Sequence, residues 1–332
     1  EIEKLKKFKQ KELTKKQQNT YMVLMDYLRR QKNLSMYPYY ERILGKTSGQ
    51  QAQILLTLSE YRLKNEKDIK SYFQLLKGLD GYFDSLIEYS KEQVKRNLFL
   101  SDQSLKEVLQ QIQNVIKQKE NNMLVATFNL RIADIKGINA AQKKKYCREN
   151  KKLIGTKVLP AYEKLYSHLQ ALNGNGKNEN GLYYYKNGKE YYKVLVAQKT
   201  GSDKTIEEMI EISDRSIEKC LRKLIKLQKK YPNIINEYRN HKKNIKIVQN
   251  PQNILNKLRQ KMVKYYPKAP KVSCKIKYVH KTMEEYTSPA FYMVPEIDSY
   301  KENVIYINKA QTAELYPTLA HEGYPGHLYQ NV

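Results

Sequence analysis

Apolar residues recur every three or four positions through most of this 332-residue chain, and that spacing limits it to a body built of helices. Leu5, Phe8 and Leu13, then Tyr21, Leu24, Met25 and Leu28, form one such face. Ile54, Leu55, Leu58 and Tyr61 form the next. Asp68 reads as an N-cap ahead of Ile69, Tyr72, Leu75, Leu76 and Leu79. Ser101-Asp102 caps a run through Leu105, Val108, Leu109, Ile112 and Ile116. The stretch 139–171 should bend at Pro160, which cannot donate to the preceding turn. Thr205 and Glu208 form a capping box ahead of Ile206, Met209, Ile210, Ile217, Leu221 and Leu224. Neither α/β alternation nor a fixed repeat period is present, so a doubly wound sheet and a solenoid are both excluded.

Composition narrows the class. Hydrophobic residues make up 40% and Tyr numbers 29, which is enough apolar mass for a packed core and excludes a disordered chain. The three cysteines, 147, 220 and 274, form no Cys-x-x-Cys pair, so a disulfide scaffold and a cysteine zinc finger are out. No apolar run approaches the roughly 20 residues that cross a bilayer. The net charge is +27, yet residues 284–332 carry two lysines against seven acids, a local −5. The excess lysines alternate with apolar helix positions, and no Arg-rich or Gly-aromatic motif accompanies them. A solvated helix surface therefore explains them better than a nucleic-acid partner. The chain opens inside a Lys-rich helical pattern without Met, so it is expected to be a fragment of a longer protein.

Three regions are expected. Residues 1–172 form an N-terminal helical region. Residues 173–265 begin at a polar hinge, Asn173 to Gly181, and continue through a Tyr-rich stretch into helices, the last over 251–265. Residues 266–332 change character: Val272–Val279, the run Ser288–Pro295 and Asn303–Asn308 read as strands. A helix starting near Thr312 or Pro317 then enters His321-Glu322-Gly323-Tyr324-Pro325-Gly326-His327.

A His followed by Glu on a helix is half of a zinc-peptidase signature. Neutral imidazoles hold the metal, and the adjacent carboxylate takes a proton from water. Here the second His stands six residues on. A straight helix would leave the two side chains some 120° apart and about 9 Å along the axis, too far to share an ion. Pro325 cannot bond to the carbonyl of His321, and Gly326 tolerates unusual backbone approach. A broken turn over 323–326 is therefore expected to swing His327 back. On spacing alone, a capped helix end with two unrelated surface histidines stands equally open.

The chain resembles the bacterial domain-of-unknown-function 885 family. The match rests on Tyr61, Asp68 to Leu76, Pro160 to Leu165, Gly188 to Tyr192, Thr200 to Ser202, Ser288 to Tyr292, Asn303 to Asn308 and Thr318 to Gln330. The resemblance implies a mostly α, gluzincin-like zinc metallopeptidase: a large multi-helix body with a small β element before the metal-binding helix. It implies His321 and His327 as zinc ligands and Glu322 as general base. It places a third ligand in a later Glu-Gly-Trp-Ala type motif, whereas this chain has no Trp. It also implies secretion or a lipid anchor in the parent protein.

Strand Asn303–Asn308 is expected to offer an edge for an extended peptide, or else to be a buried structural strand. Tyr292 and Tyr306 are candidate oxyanion donors, with packing the commoner role for Tyr. Asn303 and Asn308 complete the candidate substrate-binding set. Ser288 lacks a His or Asp neighbour, and His168, His241 and His280 are isolated. The expected function is hydrolysis of short peptides. The alternative is a non-enzymatic basic protein that binds a polyanion, with an incidental His-Glu motif.

Overall fold

The protein is described from a computed structural model, apart from residues 47–48, 120–121, 234, 238–239, 241–249, 280, 282–283, 285–286, 296–298 and 312–314. His241, His280 and the Thr312 helix start lie outside the described residues. The chain is mostly helical and divides into two compact units, Glu1–Ile225 and Lys226–Val332.

In the first unit the principal helices are Lys15–Leu34, Gln50–Ser59, Glu66–Lys77, Leu79–Lys95, Asp102–Lys117, Met123–Ala133, Ala140–Leu153, Leu159–Gln170 and Gly188–Thr200. Their apolar faces meet in an aromatic core. Phe128 stacks on Tyr72 and Phe73 at 5.4 and 5.6 Å between ring centres. Phe83 packs edge-on to Tyr162 at 4.7 Å. Each such pair contributes about 0.5–1.5 kcal/mol beyond its burial. Tyr162 is fully buried, and its hydroxyl donates to the Gln51 carbonyl at 2.7 Å, so the polar tip is satisfied.

The local signals are mostly where the pattern put them. Ser101 caps its helix by accepting from Ser104 N–H. Thr205 and Glu208 bond reciprocally at 2.7 and 3.1 Å. Asp68 is not the cap: Asn65 is, and Asp68 is the third residue of its capping box. In place of the bend expected at Pro160, a π-helical turn Ile154–Val158 precedes helix Leu159–Gln170, and Pro160 falls in that helix's first turn, where its missing N–H costs nothing. The expected hinge at 173–181 lies inside the first unit. Gly174 and Gly176 N–H both donate to Asp102 Oδ1, which ties that segment to a helix start. The boundary between units falls instead in helix Ile206–Lys230, none of whose residues is buried.

The second unit holds helix Pro251–Met262, strands β1 (Ser273–Tyr278), β2 (Ala290–Met293) and β3 (Glu302–Ile307), and helices Leu315–Glu322 and His327–Asn331. The strand order is β1-β3-β2. β1 runs parallel to β3 with Ile276 opposite Ile305, and β2 runs antiparallel with Tyr292 opposite Ile305. Side chains alternate across the sheet. The face bearing Ala290, Tyr292, Ile305 and Ile307 packs on Leu255, Leu258, Leu319 and Leu328. β3 is thus the central strand with both edges paired. That closes it to peptide addition, and the outer positions belong to β1 and β2.

Candidate metal centre

Helix Leu315–Glu322 is seated by Leu315 and Leu319, four residues apart and both buried. Pro317 lies in its first turn, where its missing N–H costs nothing. This seating turns His321 to solvent, with 69% of its side chain exposed, and turns Glu322 inward at 8%. The last helical bond runs from Gly323 N–H to Leu319 O at 2.9 Å. The chain then breaks over Gly323–Gly326, with a cis Tyr324–Pro325 bond, and helix restarts at His327.

Two contacts hold the break. Gly326 passes so close to the His321 carbonyl that a Cβ there would lie 1.7 Å from that oxygen. Tyr324, 3% exposed, is packed into the core, and the Arg259 guanidinium lies 5.6 Å over its ring. The break gives the geometry a straight helix forbids. The His321 and His327 rings stand 4.6 Å apart, nearly perpendicular. One ligand atom from each of His321, Glu322 and His327 lies within 4.8 Å of the others.

Glu322 is oriented from the sheet. Its Oε2 accepts the Tyr292 main-chain N–H at 2.8 Å, while Oε1 lies 3.8 Å from His321 Nε2. Tyr292 therefore serves the site through its backbone. Its hydroxyl donates to Asn303 Oδ1 at 2.6 Å and is turned to the core, and burial foremost pushes its pKa up to about 12. The Asn303 amide donates to Ser273 O at 3.1 Å and Tyr300 O at 2.9 Å. Sequence reasoning chose Tyr292 for its hydroxyl, and no sequence signal marks a main-chain donor.

The other candidates do not converge on the histidines. Asn308 is fully buried, donating to Glu284 O at 2.7 Å and accepting from Ala310 N–H at 3.0 Å. Tyr306 projects from the opposite face of the sheet to Ile305 and stacks on Phe291 at 5.0 Å. The Asn303 and Asn308 amides are thus spent on neighbouring backbone carbonyls, and the Tyr306 ring is packed on Phe291. Ser288 Oγ bonds Ala290 O at 2.8 Å. His168 is an exposed residue on its helix.

Two imidazoles and a carboxylate are the donor set that suits zinc. Ligand atoms on one tetrahedral zinc lie about 3.3 Å apart, and these three lie within 4.8 Å of one another, near enough for the two imidazoles to approach one ion with Glu322 beside it.

A helical protein with a three-stranded sheet and a His-Glu-His cluster at a helix break is the class that fold and site define. The chain belongs to the family described as bacterial protein of unknown function (DUF885), whose model matches residues 1–332. Comparison with curated proteins gives no match. Among solved structures, it is similar to a crystal structure of a protein described as a "putative lipoprotein" from Colwellia psychrerythraea, with a TM-score of 0.73 at 17% identity. The similarity covers 87% of this chain and 53% of that one, so the chain spans about half its length.

Proposed function

We propose that the protein is a zinc-dependent peptidase acting on short peptides, with His321 and His327 as metal ligands and Glu322 as general base. The observation that carries this reading is the convergence of those three side chains across a broken helix. Bound zinc would supply an acidified water and polarise a scissile carbonyl. The chain's own residues supply the rest. The Tyr292 N–H holds Glu322 Oε2, leaving Oε1 on the His321 side to receive a proton. An extended peptide would lie along β2, which of the two outer strands is the one that bonds Glu322, rather than along β3.

No helix among the described residues is long and apolar enough to cross a membrane. The lipoprotein description of the structural relative supports an extracytoplasmic, lipid-anchored parent.

The test is metal content by elemental analysis, beside hydrolysis of a peptide library, in the wild type and in His321→Ala. The expected result is zinc bound and peptides cleaved, with both lost together in the variant. Wild type that takes up no zinc on reconstitution overturns the reading. Polyanion binding that falls steeply with salt and ignores His321→Ala would favour a basic binding protein instead.

A further inference from the structure

The first unit contains a cavity. It measures about 210 Å³, and its walls include Leu44, Leu98, Leu100, Tyr40, Tyr185 and Tyr191. Most wall polar groups are engaged. The Tyr40 hydroxyl donates to Lys186 O, and the Tyr185 hydroxyl to Phe99 O at 2.9 Å. The Gln93 amide donates to Tyr39 O at 2.8 Å and Glu41 O at 3.1 Å.

Two lining groups differ. Arg42, an exposed residue at the cavity wall, has no hydrogen-bond or ion-pair partner among the described residues, and its charge bears on the Tyr185 hydroxyl. The carboxylates whose charge reaches these wall tyrosines are Glu41 on Tyr191, Glu179 on Tyr185 and Glu190 on Tyr40, and none pairs with Arg42. Tyr191 is only 4% exposed, and its hydroxyl also lacks a partner among the described residues.

An apolar cavity with one unpaired cation in its lining selects an anion carrying an apolar body. At roughly 30 Å³ per water-sized group, the volume holds about seven such groups. We propose that this cavity binds a small monocarboxylate with a chain of about five carbons, its carboxylate on Arg42 and its chain against Leu44, Leu98 and Leu100. The source of such a group is a free aliphatic acid or the C-terminus of a hydrophobic peptide.

Calorimetric titration of the whole chain with hexanoate, acetate, 1-hexanol, hexylammonium and N-acetyl-leucine tests this. Hexanoate or N-acetyl-leucine should saturate and bind roughly tenfold or more tightly than hexanol, with acetate and hexylammonium weaker still. The tighter of the two carboxylates identifies the source. Arg42→Gln, at an exposed position, should keep the thermal midpoint and reduce carboxylate affinity roughly tenfold or more. Hexanol binding as tightly as hexanoate would overturn the proposal. So would unchanged affinity in Arg42→Gln, or no saturation by either carboxylate at about 10 mM.

Discussion

Gly326→Ala should open the His321–His327 pair while leaving both histidines in place. A Cβ at this position meets His321 O at 1.7 Å, His321 C at 2.3 Å and Ala320 O at 2.6 Å, whereas real Cβ contacts do not fall below 3.0 Å. All three obstacles are main chain, so no rotamer relieves them. The two segments must part by more than about 1 Å, with an overpacking cost of about 1–3 kcal/mol. Metal-ligand distances tolerate only about 0.2 Å, so zinc affinity should fall by about 100-fold or more. Zinc titration against a competing chelator reads that loss. Amide exchange supplies a readout that needs no metal. Tyr329 N–H bonds Gly323 O at 3.1 Å and Gln330 N–H bonds Gly326 O at 3.0 Å, and both should lose protection. Gly81→Ala is the control: nothing lies within 4 Å of its added Cβ, in the middle of helix Leu79–Lys95, so it should stabilise by up to about 1 kcal/mol. A Gly326→Ala variant with wild-type zinc affinity and unchanged exchange at 329 and 330 would refute the reasoning.

Glu322→Gln should retain zinc and lower peptide hydrolysis by about 10²–10⁴-fold, and loss of zinc with activity would make Glu322 a ligand rather than a base. Asn303→Ala should cost about 2–4 kcal/mol in urea unfolding, because it strands the buried Tyr292 hydroxyl and two carbonyls. Tyr72 has its pKa pushed up to about 12, burial being the main cause, with the Arg131 charge opposing. The folded chain therefore keeps a proton that the unfolded chain releases above about pH 10, and stability should fall as pH rises from there. The loss reaches about 2–3 kcal/mol by about pH 12. Tyr72→Phe should flatten that slope in urea midpoints measured against pH, and an unchanged slope would remove Tyr72 from the account.

Local chemistry is where the sequence read true. Thr205 with Glu208 and Ser101 with Ser104 are short-range bonds, written within four residues. Asn65 and Asp68 show the limit of such reading, because both residue types cap helices and only the bond directions say which one does. What failed was pairing between distant segments. The strand pattern of 303–308 is the same for a central or an outer strand, and the parallel pairing with β1 decides between them. Asp102 gripping Gly174 and Gly176 is likewise invisible from a polar run that looks like a hinge. At the site, the proximity of His321, Glu322 and His327 depends on one turn, which the Gly-Tyr-Pro-Gly sequence suggested while spacing alone left a capped helix end equally open. The main-chain bond from Tyr292 depends on strand order and was not legible.

The Gly-Tyr-Pro-Gly break does more than permit a turn, because its own Tyr324 fastens the site to the core. Tyr324 is 3% exposed and shares one cluster with Leu255, Ile305, Leu319 and Leu328. Gly323, one residue before it, lies so close that an added Cβ would sit 2.3 Å from Leu255 Cδ2. The histidines flank this buried anchor in the chain, three residues before it and three after, so the ring fixes the middle of the turn that joins them. Tyr324→Ala should cost about 3–5 kcal/mol, the range for emptying a large aromatic site, and should weaken zinc binding with it. Tyr324→Phe keeps the ring under Arg259 and should leave both nearly unchanged, because no hydrogen bond of the Tyr324 hydroxyl is found among the described residues. Thermal unfolding beside zinc titration separates the two effects. A Tyr324→Ala chain that is destabilised yet binds zinc as tightly as wild type would show that the broken turn holds the histidines without the core beneath it.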